Sequence, residues 1–169
     1  AMVYSAGPEL HIVTAGLLNE VSMESLQRLA GAAYGKVVEN FDLNDRRRLE
    51  IQLDALLRSG PELILVAGGT EGGASRSVAK QIDLVNLACR ILPNDRRPEV
   101  LYVGNQALAV RIKDTLEKFA PITTAPNIRP SIDVEDINPA MGALSQVLTR
   151  LRTRKIGGMD SYLNTLSTP

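Results

Sequence analysis

Tryptophan is absent, cysteine and histidine occur once each, and aromatic residues make up only 4% of the 169 residues. Each scarcity excludes something. Cys89 has no internal disulfide partner, so the expected setting is reducing and cytoplasmic. With His11 as the lone histidine, a Ser-His-Asp triad or a histidine-rich metal site has little to draw on. So few rings offer no platform for stacking nucleobases. An excess of one charge is missing too: 19 Lys+Arg stand against 19 Asp+Glu. A surface that neutralises phosphates needs a Lys/Arg excess, so no nucleic-acid partner is expected. No apolar run reaches the ~18 residues that suggest a membrane span. Nor does the chain open on a basic-then-apolar secretion signal.

What is present is an alternation. Five short apolar runs, Leu10–Ala15, Lys36–Phe41, Glu62–Ala67, Val100–Val103 and the weaker Pro121–Ala125, are separated by helix-period segments. The third and fourth are nearly continuous apolar stretches, as a parallel strand covered on both faces should be. Ser22 is placed to cap a first helix carrying Leu26, Leu29, Ala30 and Ala33, with Gly35 at its stop. A second helix is expected from Asn44 to Ser59, its stripe Leu49, Leu53, Leu56 and Leu57, closed by Gly60-Pro61. A third begins near Ser75 with Val78, Ile82, Val85, Cys89 and Leu92 inward, and a fourth carries Leu108, Ile112, Leu116 and Phe119. A fifth has Asn138 as cap, Pro139 in its first turn, and the stripe Met141, Leu144, Leu148 and Leu151.

Strands alternating with helices imply right-handed βαβ units. The expected fold class is α/β, a three-layer, doubly wound, five-stranded parallel sheet of flavodoxin-like order 2-1-3-4-5. The domain is expected over residues 8–156. Residues 157–169, polar and small, read as a linker or tail, and such an ending suggests a piece of something longer.

In this sheet order the loops after strands one and three flank the switch point where ligands bind. The loop after strand three, Ala67–Ser75, carries four glycines, Gly68, Gly69, Gly72 and Gly73, around the polar pair Thr70 and Glu71. Glycine lets a backbone turn left-handed or approach a partner closely. The next helix's N-terminus offers free amides, although Glu71 beside it would oppose a phosphate. Gly16 and Asn19 lie in the facing loop, Asn105 follows strand four, and Asn127 follows strand five. These ten residues are the candidate ligand- or partner-binding set. The plain alternatives are a tight turn for the glycines and a helix cap for Asn105. The glycine loop is neither the P-loop nor the dinucleotide pattern. His11 falls at the opposite end of its strand, and Cys89 reads as a small hydrophobe. The runs Arg46–Arg48, Arg96–Arg97 and Arg150–Lys155 read as solvated faces. Asp133, Glu135 and Asp136 suit the positive end of the fifth helix. No catalytic residues and no metal ligands are assigned.

Three blocks carry a family resemblance: PELILVAGGTEGG at Pro61–Gly73, LYVGNQ at Leu101–Gln106 and APNIRPSIDVEDINPA at Ala125–Ala140. With the segment from Gly16 onward, they resemble the glutamate (methylaspartate) mutase accessory family, MutL, over most of the chain. The resemblance implies a subunit acting with adenosylcobalamin-dependent mutases, an ATP-driven reactivase on the actin-like ATPase plan. Neither of that plan's phosphate loops, Asp-x-Gly-Ser/Thr-Thr and Asp-x-Gly-Gly/Ala-Thr, occurs here, so the segment reads as an internal domain. ATP and magnesium are implied only for a full-length member. A cofactor of the segment itself is not expected, and neither is catalysis by it alone. The implied partners are mutase subunits and the remainder of its own longer chain. The cobalamin-binding domain of such mutases is also flavodoxin-like, but its Asp-x-His-x-x-Gly motif is missing: Ala15-Gly16-Leu17-Leu18-Asn19 stands in its place. A body of that shape without cobalamin could compete for the same docking surface. The other reading is a flavodoxin-type small-ligand domain using the switch-point crevice.

Overall fold

The computed structural model describes residues 9–73 and 75–155. The elements run β1 (Leu10–Ala15), α1 (Glu24–Gly31), β2 (Gly35–Phe41), α2 (Leu49–Ser59), β3 (Leu63–Val66), α3 (Ser75–Ile91), β4 (Glu99–Tyr102), α4 (Gln106–Leu116), β5 (Ile122–Thr124) and α5 (Asn138–Lys155). The sheet is parallel throughout, in the order β2-β1-β3-β4-β5. This is the flavodoxin-like plan. The tail expected at 157–169 lies outside the described residues.

The core explains why the central strands read as they do. All four residues of β3 and all four of β4 are buried. Alternate side chains serve two separate cores. Leu63, Leu65 and Leu101 face α1 and α5, while Ile64, Val66, Val100 and Tyr102 face α2, α3 and α4. Neither face of a doubly covered strand meets water, so no polar alternation survives. The edge strand β2 is only half-buried and carries a bulge at Val38, between Val37 opposite Ile12 and Glu39 opposite Val13.

Several helix starts depart from expectation. Ser22 is no ordinary cap: it lies in a single π turn, Asn19–Met23, that leads into α1. Its hydroxyl accepts from the amides of Leu17 (2.8 Å) and Leu18 (3.0 Å), so it satisfies the loop before the helix instead of the helix itself. The second helix begins at Leu49, not Asn44, because Asp42 and Asp45 fold the intervening residues into local turns. Leu49 stays exposed. At α5, Asp136 takes the role expected of Asn138 by accepting from the Asn138 amide. Met141 faces outward while Ala140 is buried in its stead.

The arginine runs are only partly solvated faces. Arg47 is held by Asp45 and Glu39 and lies over the Phe41 ring. Arg150 and Arg154, at the end of α5, both pair with Glu99, which is fully buried at the start of β4. Lys155 pairs with Glu62 beside them. The end of α5 is therefore fastened electrostatically to the sheet edge opposite the loops of interest. A buried carboxylate needs its counter-charges: removing them strands the charge, whereas removing the carboxylate frees two half-exposed arginines into water. Urea unfolding should show Arg150→Ala/Arg154→Ala destabilised by about 3–5 kcal/mol. Glu99→Gln should cost less. The reverse order would contradict the clamp.

Candidate functional site

The loops following β1, β3, β4 and β5 emerge at one edge of the sheet, as parallel topology requires. Two of the four loop glycines, Gly69 and Gly72, have φ of +73°, which L-residues resist. The other two are small for want of space. A Cβ on Gly68 would lie 3.0 Å from the Leu17 side chain and 3.1 Å from Val78. A Cβ on Gly73 would lie 2.7 Å from the Thr70 hydroxyl. A backbone does approach closely, but it is the chain's own: a Cβ on Gly104 would lie 2.7 Å from both N and O of Gly68. Gly16 is pressed by Met23 and Ser22 in the same way. Leu17, buried, packs between the loops after β1 and β3.

Glu71 is the centre of the arrangement. Its carboxylate takes the Gln106 amide (3.1 and 3.2 Å) at the start of α4, the helix after the one it precedes. Asn105 caps the next amide, that of Ala107, at 2.9 Å, the role its type suggested. The two together satisfy the orphan donors and complement the helix dipole. Asn127, also buried, donates its amide hydrogens to the Glu71 carboxylate (2.8 Å) and the Gly69 carbonyl (3.1 Å). Its side-chain oxygen accepts the Arg129 amide (3.0 Å). The partners fix the orientation of the amide, because each side meets only the complementary kind of group. The Glu71 amide donates to the Pro130 carbonyl (3.0 Å) and that of Gly73 to Thr70 (2.8 Å). Burial, and secondarily the Glu71 charge, pushes the Tyr102 phenol above its ordinary range; its hydroxyl donates to the Asn105 carbonyl.

The structure thus gathers Gly68, Gly69, Glu71, Gly73, Asn105 and Asn127 into one interlocked edge, with Thr70 and Gly72 at its surface and Gly16 against Met23 and Ser22. For Asn19 only the backbone is described. The edge does not fit a phosphate. The amides of Glu71 and Gly73 are spent internally, and the start of α4 already holds a carboxylate. No group of His, Cys, Asp and Glu suited to a metal ion is found among the described residues. Surface grooves among the described residues run along α3, α4 and β5 instead; one of about 700 Å³ is lined by residues including Arg90, Arg111, Asp114 and Phe119. His11 is exposed at the far edge beside the Ser59 carbonyl. Burial pushes the Cys89 thiol up to about 11, which leaves it unreactive.

A second layer was not anticipated. Ser25, buried on α1, receives the Arg129 guanidinium (2.7 Å) and donates to Glu135, which also pairs with Arg28 (2.8 Å). The available signal was a serine at a stripe position of the first helix, four residues before Leu29. The Glu135 carboxyl is held below its ordinary 4.5 by the Ser25 hydroxyl first and Arg28 second.

Two expectations follow. Asn127→Asp, nearly isosteric, sets a carboxylate against Glu71 and the Gly69 carbonyl. It should be more destabilising at neutral pH than Asn127→Ala, which should itself cost about 1–3 kcal/mol in urea unfolding. An Asp variant as stable as the parent would contradict the interlock. The Glu135 contribution should be complete above about pH 4.5, the ordinary value, and lost as pH falls through the lowered folded-state value. Glu135→Gln should remove that part of the acid limb.

No helix among the described residues is long and apolar enough to cross a membrane. The sequence pattern of the MutL protein family matches residues 1–169. Protein MutL of Clostridium tetanomorphum is 23% identical over 172 residues, an alignment covering 98% of this chain and 34% of the relative. The chain spans about a third of the length of that curated relative. With the match extending over the whole sequence, the chain belongs to the MutL protein family.

Proposed function

We propose that this domain is the protein-docking module of a reactivating chaperone for an adenosylcobalamin-dependent mutase of the glutamate or methylaspartate type. ATP is handled elsewhere in the longer chain. Family membership supports the mutase association. The observation that carries docking over ligand binding is the filled switch point. In a flavodoxin-like sheet this edge is where a small ligand would sit. Here Leu17 lies on Gly68, Glu71 occupies the start of α4, and Asn127 ties both to the loop after β5. A rigid, internally satisfied edge is poor at engulfing a molecule and good at presenting a fixed surface.

The flavodoxin-like shape gives this reading its mechanism. A body with the outline of a cobalamin-binding domain, but with Gly16-Leu17-Leu18 where a cobalt-ligating histidine motif would stand, can occupy that domain's berth without carrying the cofactor. The berth is then exchanged, not filled twice, which would loosen a damaged cofactor's domain from the mutase. The contact surface comprises the exposed parts of the Gly68–Gly73 loop, held in place from beneath by buried Asn105 and Asn127. The cytoplasm is its proposed setting.

Titration calorimetry with purified glutamate mutase subunits should give saturable binding, diminished by the isolated cobalamin-binding subunit. Mg-ATP should give none, because phosphoryl chemistry needs a phosphate cradle and a metal-holding acid. A micromolar Mg-ATP isotherm, or mutase binding unaffected by the competitor, would overturn this reading. Gly72→Ala tests the loop. Apart from its chain neighbours, no described residue has an atom within 4 Å of the added Cβ, so the expected cost is that of the left-handed backbone, about 1 kcal/mol. Weaker binding by the folded variant is expected; a lowered melting point with normal binding would make the loop purely structural.

A further inference from the structure

Between Pro130 and α5 the chain makes a tight turn, closed by an antiparallel bridge between Ser131 and Val134. The turn holds two large apolar side chains in water: Ile132 is 66% exposed and Val134 50%. Single exposed hydrophobes need no explanation. Here, however, two β-branched ones share one turn, and the turn is held on every side. Arg129 donates one guanidinium nitrogen to the Ile132 carbonyl (3.2 Å) and another to buried Ser25. The Asp136 amide donates to the Ile128 carbonyl (3.0 Å), and Glu135 is fixed by Ser25 and Arg28. Routing the chain from β5 to α5 requires neither this anchoring nor apolar tips.

Charge completes the picture. Arg28 and Arg129 are both engaged with Glu135. Asp133, between the two apolar residues, and Asp136, just beyond them, are exposed and leave a net negative charge around the tip. The turn adjoins the glycine loop, since the Glu71 amide donates to the Pro130 carbonyl.

We infer that Ser131–Asp136 is a preformed docking finger. Ile132 and Val134 insert into an apolar pocket on the mutase, and Lys or Arg side chains at the pocket's rim meet Asp133 and Asp136. The inference rests on the docking reading above and names the anchor within it. Rigid apolar anchors that lose little freedom on binding dominate interfaces, and charges at the rim govern approach. Two side chains supply only part of the roughly 800 Å² per partner that a stable interface needs. The adjoining Gly68–Gly73 loop provides further area. A lipid surface is the wrong occupant, because anionic headgroups repel the two aspartates.

The test uses the full chain against immobilised, purified glutamate mutase. Variants are Ile132→Ser/Val134→Ser, Asp133→Lys, and the control Val110→Ser, an exposed apolar residue on α4. The serine pair should melt like the parent and bind at least about tenfold more weakly. Asp133→Lys should slow association and reduce its dependence on salt, while the control should bind as the parent does. Parental affinity in the folded serine pair, or an equal loss in the control, overturns the finger while leaving mutase docking intact. Failure of the parent itself to bind overturns the docking reading and the finger with it. Binding of the parent, lost in the serine pair, to vesicles of phosphatidylcholine and phosphatidylserine would overturn the protein pocket in favour of a membrane.

Discussion

The side-chain amide of Asn127 is the constraint on which the loop edge depends. Its two hydrogens meet the Glu71 carboxylate and the Gly69 carbonyl, and its oxygen meets the Arg129 amide. Two loops, those after β3 and β5, are thereby held by one planar group, and Glu71 extends the hold to the start of α4. The consequences spread in both directions. Toward β3, the bond to Gly69 sits where the backbone is left-handed, so the conformation that glycine permits is also the one Asn127 recognises. Toward β5, the bond to the Arg129 amide sets the course of the chain just before its guanidinium reaches Ser25 on α1. A buried polar network of this kind is costly when half-made and specific when complete.

Much of this was legible in the sequence. The five runs, their order in the sheet and the doubly apolar centre follow from period and length, since Glu62–Ala67 and Val100–Val103 are short, nearly continuous apolar runs between helix-period segments, as covered parallel strands should be. The capping role of Asn105 was readable because it depends on the next two residues alone. Less legible were features set by tertiary partners. Nothing local says that Glu71 serves the helix after β4; only the close approach of Gly104 to Gly68 makes that possible. Nor does the Arg150–Lys155 run reveal that it answers Glu99, 51 residues before Arg150. A strand whose first residue is glutamate with both faces covered did carry that signal, since a buried carboxylate demands a partner.

The glycines show how one composition supports two opposite readings. Four of them in a short loop after a central strand suggest space kept open for a ligand. The geometry assigns each one internally: two turn the backbone left-handed, and two make room for Leu17, Val78 and Thr70. The same residue type that opens a phosphate loop here closes an edge, and the difference lies in where the amides go. In a phosphate loop they converge on solvent; here the Glu71 and Gly73 amides end on Pro130 and Thr70 carbonyls.

Helix α5 joins two electrostatic fastenings of the domain. Its start follows Glu135 and Asp136, bound to α1 and to the β5 loop; its last turns hold Arg150 and Arg154 on Glu99 at the opposite sheet edge. Between them, Ala140, Leu144, Val147, Leu148 and Leu151 run along one apolar core. A helix fixed at both ends and packed along its length moves as one piece or not at all, because a packed core does not deform continuously. A partner gripping the loop edge would therefore act on a strut whose far end is held by ion pairs to a buried carboxylate, which salt screens far less than exposed pairs. The stiffness that makes the loop edge a poor ligand pocket is the same stiffness that lets a load applied there arrive at the end of α5.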